Sequence, residues 1–302
     1  MTRVATIPLQ QTLAAGIQRA QQRLAVAQTQ LATGRKSETL AGLGADLVPN
    51  LSARNVLARQ EAQGAVTSRV GTTLSVMSTS ISGVETIGSD LRQSIVDAIA
   101  SGSGGTALQD SFEFAFNSFS AQLNSAQAGV PLFSGSQPGS PFKPQSLSEA
   151  AGLDPADAFS NDNVLASARV ADNIDLQYGV TASELGTDML AAFRTLAEAG
   201  PLGTTLTQDQ ISVLRTALGQ VDGALDGVRS ISAQVGRKQA QVETLGARSA
   251  DRVAMLQDIV SQHEDADLGQ VAVDIAQQKS VLDASYGVFG QLSGMSLLDF
   301  LR

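Results

Sequence analysis

Apolar residues recur in steps of three and four at both ends of this chain. Near the beginning they are Leu13, Ile17, Ala20, Leu24, Ala27 and Leu31. Near the end the series runs Leu268, Val271, Ile275, Gln278, Leu282, Ser285, Phe289 and Leu292. Such spacing puts each set on one face of a helix, the geometry of helices that supercoil against one another. A chain with its best seams at its two extremes is expected to pair them, and to bind copies or relatives of itself through them.

Composition narrows the rest. Aromatic residues are 4% of the 302 and Trp is absent, so there is little bulky material for one thick core. Twenty basic against 29 acidic residues give a net charge of −9, which excludes the chain-wide basic field that nucleic-acid binding needs. Cysteine is absent, which excludes disulfides, thiolate metal sites and Cys nucleophiles together. No stretch approaches the run of about 18 apolar residues that spans a bilayer, so no membrane span is expected. The first residues lack the pattern of a cleaved secretory signal, so any export takes another route.

Charge is divided between the ends. Before Glu38 the charged residues are Arg3, Arg19, Arg23, Arg35 and Lys36, all basic. From Ser261 onward Glu264, Asp265, Asp267, Asp274, Asp283 and Asp299 face only Lys279 and Arg302. A basic, acid-poor start also resembles an organellar transit peptide. The acidic helix in the same chain favours pairing of the termini instead, with charge discouraging self-pairing of the basic helices.

Between the ends, periodicity predicts a helix from Leu9 to Thr33 stopped at Gly34, then a Gly-rich loop to Asn50. A long helix follows from Leu51 to Ala100, with Val70, Leu74, Met77, Ile81, Val84, Gly88, Leu91 and Ile95 as its seam. At 1.5 Å per residue it would run about 75 Å. A helix over 106–128 carries Phe112, Phe116, Phe119 and Leu123 on one face, with Phe114 off that face and set to touch the next segment. Six of the eight prolines lie between Val130 and Pro201, where strands are expected at 168–170 and 173–178 and a short helix at 187–199. Thr207 is expected to cap a helix reaching Gln262, with Lys238, Ser249 and Arg252 as polar breaks in its seam that set register or end the packed region.

The predicted fold is mainly α: long antiparallel coiled-coil helices formed by both termini, with a small β-containing lobe inserted mid-chain. Its domains are 1–36 plus 264–302 as a terminal helical pair, 50–130 plus 201–262 as a long-helix bundle, and 131–200 as a small β-rich, loop-rich lobe. Each terminal helix alone is marginal in water, so the pair is expected to order only against neighbours in an assembly. The assembly interface is placed on Leu13, Ile17, Leu24, Leu31, Leu268, Val271, Ile275, Leu282, Phe289, Leu292, Leu297, Leu298 and Phe300.

Residues for chemistry are scarce. His263 is the sole histidine, so neither a His-containing triad nor a His-rich metal site is available. The acidic run Glu264-Asp265-Ala266-Asp267 fits helix capping better than an oxygen-ligated cation. Neither glycine-rich nucleotide fingerprint occurs, and Gly-Ser-Gly-Gly at 102–105 reads as a helix stop. No catalytic, cofactor or metal residue is expected; an enzyme would need a concave polar pocket in the 131–200 lobe.

Glu264-Asp265-Ala266-Asp267, the run Ile275-Ala276-Gln277-Gln278-Lys279-Ser280-Val281-Leu282-Asp283-Ala284-Ser285-Tyr286, and Gly294-Met295-Ser296-Leu297-Leu298-Asp299-Phe300-Leu301 closely resemble the C-terminal signature of the bacterial flagellin superfamily. Gln22-Arg23-Leu24 and Leu31-Ala32-Thr33-Gly34-Arg35-Lys36 look like its N-terminal counterpart. The likeness covers roughly the first and last 100 residues. Within the superfamily, Gly129-Val130-Pro131-Leu132-Phe133-Ser134-Gly135-Ser136-Gln137-Pro138-Gly139-Ser140-Pro141-Phe142 and Val235-Gly236-Arg237-Lys238-Gln239 are similar to segments of the hook-associated protein 3 family. The acidic loop usual after the first helix is reduced to Gly42-Leu43-Gly44-Ala45-Asp46.

The resemblance implies a structural component of the bacterial flagellum, in an adaptor layer joining hook to filament. It implies self-association in a ring layer, contact with the adjoining hook-associated protein and with flagellin, type III export without a cleaved signal, and an export chaperone on the C-terminal helix. The location implied is extracellular, at the hook–filament junction. Alternatives are a short flagellin forming the filament itself and a cytoplasmic coiled-coil scaffold.

Overall fold

The computed structural model describes the backbone of residues 3–300 and the side chains of residues 11–291. In chain order the elements are α1 (Arg3–Thr33), a 3-10 segment (Leu40–Asp46), α2 (Leu47–Ser101), α3 (Thr106–Leu123), β1 (Ala126–Gln127), β2 (Val130–Pro131), α4 (Leu147–Ala150), α5 (Pro155–Ala158), β3 (Ala166–Ala171), β4 (Ile174–Tyr178), α6 (Ala182–Glu198), α7 (Gln208–Glu264) and α8 (Leu268–Phe300). The fold is mainly α, with two small antiparallel sheets. It divides into two compact units, residues 1–59 with 252–302 and residues 60–251. The chain of α2 and of α7 runs through both.

The second unit has a continuous core. From α2 it takes Val70, Leu74, Met77, Ile81, Val84, Leu91 and Ile95, the seam predicted from the sequence. Gly88 also belongs to that seam, because a Cβ there would stand 2.7 Å from Met189 Cε and 2.8 Å from Leu225 Cδ2. α7 supplies Leu214, Val221, Leu225, Val228, Ile231, Val235 and Val242. Thr207 caps α7 as expected, in a reciprocal box: Gln210 N donates to Thr207 Oγ1 at 3.2 Å and Thr207 N donates to Gln210 Oε1 at 3.1 Å. Ser249, one of the polar breaks, is buried and accepts a 2.8 Å hydrogen bond from the buried Gln60 amide. A buried polar pair that must meet its partner fixes helix register.

Phenylalanines fill the rest. Phe116 and Phe119 of α3 meet Phe193 of α6 at 5.3 and 5.4 Å, and Phe142 at 5.9 and 5.5 Å; Phe142 in turn meets Phe159 at 5.5 Å. Each such pair adds roughly 0.5–1.5 kcal/mol beyond the area it buries. The loops between Pro131 and Ala182 thus deliver Phe133, Phe142 and Phe159 into the same core as the helices. Among the described residues, no helix is long and apolar enough to cross a membrane.

Several boundaries differ from the sequence expectation. α1 begins at Arg3, not Leu9, and α2 at Leu47, not Leu51, because Pro49 sits in the first turn of α2 where its missing N–H removes no helical bond. α3 stops at Leu123 because Ala128 and Gly129 take φ of 50 and 82. Those angles make the tight turn between β1 and β2, where helical periodicity had predicted helix to Ala128. Phe114 does not touch the next segment; it is 74% exposed. β3 extends the expected strand at both ends, while β4 starts one residue later than expected because Asn173, at φ 60, sits in the turn; Leu176 is turned inward. α6 begins five residues early, at Ala182, since Thr181 Oγ1 accepts from Glu184 N at 3.2 Å and caps it.

Replacing Phe116 by Ala removes a fully buried ring that contacts two others. The expected cost is about 3–5 kcal/mol, read as a lower urea midpoint with an unchanged slope.

Candidate assembly interface

The first unit is built around the join between the end of α1 and the start of α8. Gly34 takes φ 71, which lets the chain turn out of α1 without a Cβ penalty. Its N–H closes the last turn on Gln30 O at 2.8 Å, and its carbonyl accepts from Ala266 N at 2.8 Å. Lys36 N donates to Glu264 O at 2.7 Å, so Arg35 and Asp265 form an antiparallel bridge. Lys36 Nζ donates to Gln262 O at 2.6 Å. These bonds satisfy carbonyls at the end of α7 and set the antiparallel register of α1 and α8, which Gln21 Nε2 repeats by donating to the Tyr286 hydroxyl at 2.7 Å.

Glu264 anchors this join. Its carboxylate receives Arg54 through two bonds, Nε to Oε1 at 2.6 Å and Nη2 to Oε2 at 2.7 Å, and Asn50 Nδ2 at 2.8 Å. The side chain is 10% exposed. Burial alone would raise its pKa. The bonds from Arg54 and Asn50, with the charges of Arg54 and Arg35, outweigh burial and hold it below the ordinary value. The acidic run predicted as a cap therefore divides its labour. Asp267 caps α8, its Oδ1 accepting from Gly269 N at 2.9 Å and Gln270 N at 3.1 Å, while Glu264 ties the end of α7 to α2. Sequence reasoning missed this role, since Arg54 lies 210 positions away and nothing local marks the pair. His263 lies 3.5 Å from Asp46 Oδ1.

α1 and α8 pack against each other within this chain, and the hydrogen-bonded join sets where they meet. Of the predicted interface residues, Val271 and Leu282 are buried, with Ala20 and Ala27 of the α1 seam, and Leu13, Ile17, Leu24 and Ile275 are half-buried. Leu31, Leu268 and Phe289 are exposed. The Ala positions form a narrow stripe, and larger side chains at its margin stay in solvent. Leu292, Leu297, Leu298 and Phe300 lie outside the described side chains.

A second stripe on α8 escaped the sequence reading. Val273, Val281 and Val288 are all exposed, at 60%, 44% and 48%, and Gln277 and Ala284 complete 4/3 steps between them. At about 100° per residue this stripe lies about 120° around the helix from the Val271–Leu282 seam. The signal was present as a second periodic series, hidden by the first. α8 thus offers one apolar face to α1 and another to nothing else in its unit.

No family model and no curated protein matches the sequence. Solved structures do match. FlgL of Bacillus cereus is similar with a TM-score of 0.57 at 15% identity, over 69% of this chain and 98% of that one. A flagellar hook-associated protein of Vibrio parahaemolyticus is similar with a TM-score of 0.55 at 12% identity, over 72% of this chain and 97% of that one. The chain has the fold seen in these flagellar proteins.

Because the Glu264 pKa is lower folded than unfolded, its contribution is present above the unfolded value, near 4.5, and is lost as pH falls through the folded value. Glu264→Gln is expected to cost about 1–2 kcal/mol at pH 7, less than for a fully buried pair because Arg54 is 42% exposed. Amide exchange around residues 34–37 and 264–267 checks this. It should accelerate in the variant at pH 7 and, in the parent chain, relative to its intrinsic rate, only in acid.

Proposed function

We propose that this chain is a non-enzymatic structural component of the bacterial flagellum, forming an adaptor layer between hook and filament. The observation that carries this reading is the terminal pair: α1 and α8 bury one narrow stripe against each other and leave Leu31, Leu268, Phe289 and the Val273–Val288 stripe open. The fold likeness to flagellar hook-associated proteins supplies the setting.

In this reading copies stand side by side in a ring, each α8 giving its second stripe to a neighbouring copy. Burying a Val or Leu side chain contributes roughly 1.5–3 kcal/mol, so three or four such positions per copy offset the ordering of long side chains at the contact. The faces of the ring meet the adjoining hook-associated protein and flagellin. Before assembly, an export chaperone covers the apolar C-terminal helix. Export through the flagellar type III route delivers the chain to the extracellular hook–filament junction. The 131–200 segment is proposed as the small lobe of the protein.

Electron microscopy of flagella from a strain lacking this gene should show hooks without filaments; normal filaments would overturn the assignment. Val281→Asp, on an exposed position, should leave the helical content unchanged and abolish incorporation into flagella. A purified chain that grows long filaments by itself would instead make it a filament protein.

A further inference from the structure

Within the second unit, one phenylalanine is out of place. Phe112, Phe116 and Phe119 of α3 are buried, yet Phe114 projects into solvent with Asp110 one turn before it and Asp90 of α2 lining the same hollow. Neither carboxylate has an ion pair among the described residues. The same unit contains a groove of about 430 Å³ between α2 and the β1–β2 hairpin, walled by Met77, Val130, Pro131, Leu132, Val164 and Val180. Its rim residues Val130 and Val164 are exposed. The one charged side chain in its lining is Arg69, which also has no ion pair among the described residues.

The geometry points to a contact between copies in which Phe114 of one chain enters this groove on the next. The occupant is a second copy because this chain itself carries both complements. An exposed aromatic ring flanked by two unpaired acids meets an apolar hollow flanked by one unpaired guanidinium. A Phe ring buries about 150–250 Å² when enclosed, and unlike charges brought together at its edge select orientation. A chain cannot satisfy its own groove. The α2 residues beside Phe114 are Ile87 to Ser94 and those in the groove are Arg69 to Met77, so at least ten residues, about 15 Å of helix, separate them. Each copy both gives a knob and receives one, and such contacts extend from copy to copy until they close. This inference rests on the self-association proposed above and names where it occurs.

The absence of native cysteine makes a direct test clean. Cells lacking the native gene would co-express Ser111→Cys chains, which keep the Phe114 ring one turn away, and Val164→Cys chains, and isolated flagella would be oxidised. A disulfide requires Cα atoms within about 7 Å, which only intermolecular docking provides. The expected result is a covalent dimer of the two variants, absent when either is expressed alone. Arg69→Glu should lower its yield about tenfold, and Arg69→Glu combined with Asp110→Arg and Asp90→Arg should restore it. Filamented flagella that incorporate both variants without the dimer would overturn the docking while leaving the adaptor reading intact. Cross-linking of Ser111→Cys to a different protein would overturn it equally. Normal filaments in cells lacking the gene altogether would instead remove the reading beneath it.

Discussion

Two helices side by side have no interior. Each can bury only the stripe that faces its partner, and the apolar residues on its other faces stay wet until something else arrives. That limit governs the first unit. Ala20, Ala27, Val271 and Leu282 take the narrow strip of burial available, and the Val273, Val281 and Val288 stripe receives none of it. The second unit escapes the limit by adding layers. There α3, α6 and the loops that carry Phe133, Phe142 and Phe159 close over the α2 and α7 seams, so the same heptad pattern becomes a core. One chain therefore uses one kind of periodicity for two ends, self-sufficient packing in the middle and unfinished packing at the termini.

An unfinished pair still needs a fixed register, and polar groups supply it. Apolar stripes repeating every seven residues tolerate a slip of two turns with little loss. The join at Gly34, Lys36, Glu264 and Ala266 does not, since every bond in it names one partner atom. The buried Gln60–Ser249 bond has the same effect on the seam between α2 and α7. A displaced register would leave a buried amide or carboxylate unpaired, at a cost of about 1–3 kcal/mol, comparable to what burying one apolar side chain gains.

What could be read from the sequence follows the range of the interaction. The α2 seam, the Gly34 stop and the Thr207 cap were legible because each is written within one or two turns of helix. Glu264 was legible only as an acid near a helix start, because its partners Asn50 and Arg54 belong to a distant segment. The end of α3 was misplaced because helical spacing continues past Leu123 while the turn at Ala128–Gly129 breaks it. Leu31, Leu268 and Phe289 satisfied the period and still stayed exposed, because a period states which face a residue occupies and not how wide the covered strip is. Phe114 shows the same gap from the other side: its spacing excluded it from the core, and nothing local told whether another segment would reach it.

The two kinds of uncovered surface differ in what they can specify. A stripe of valines on a helix is low in relief and nearly self-similar along its length. It attracts other helices strongly and positions them weakly, since a shift of one heptad presents almost the same surface. A single aromatic knob with charges at its base and a hollow with the opposite charge have one fitting arrangement each. If copies met through the stripes alone, axial offsets of about 10 Å, one heptad of rise, would be nearly degenerate. In the proposed assembly, a layer of uniform thickness would require that degeneracy to be broken. The proposed fit of the Phe114 knob into the groove beside the β1–β2 hairpin is discrete enough to break it, because a ring with charge at one edge admits one arrangement.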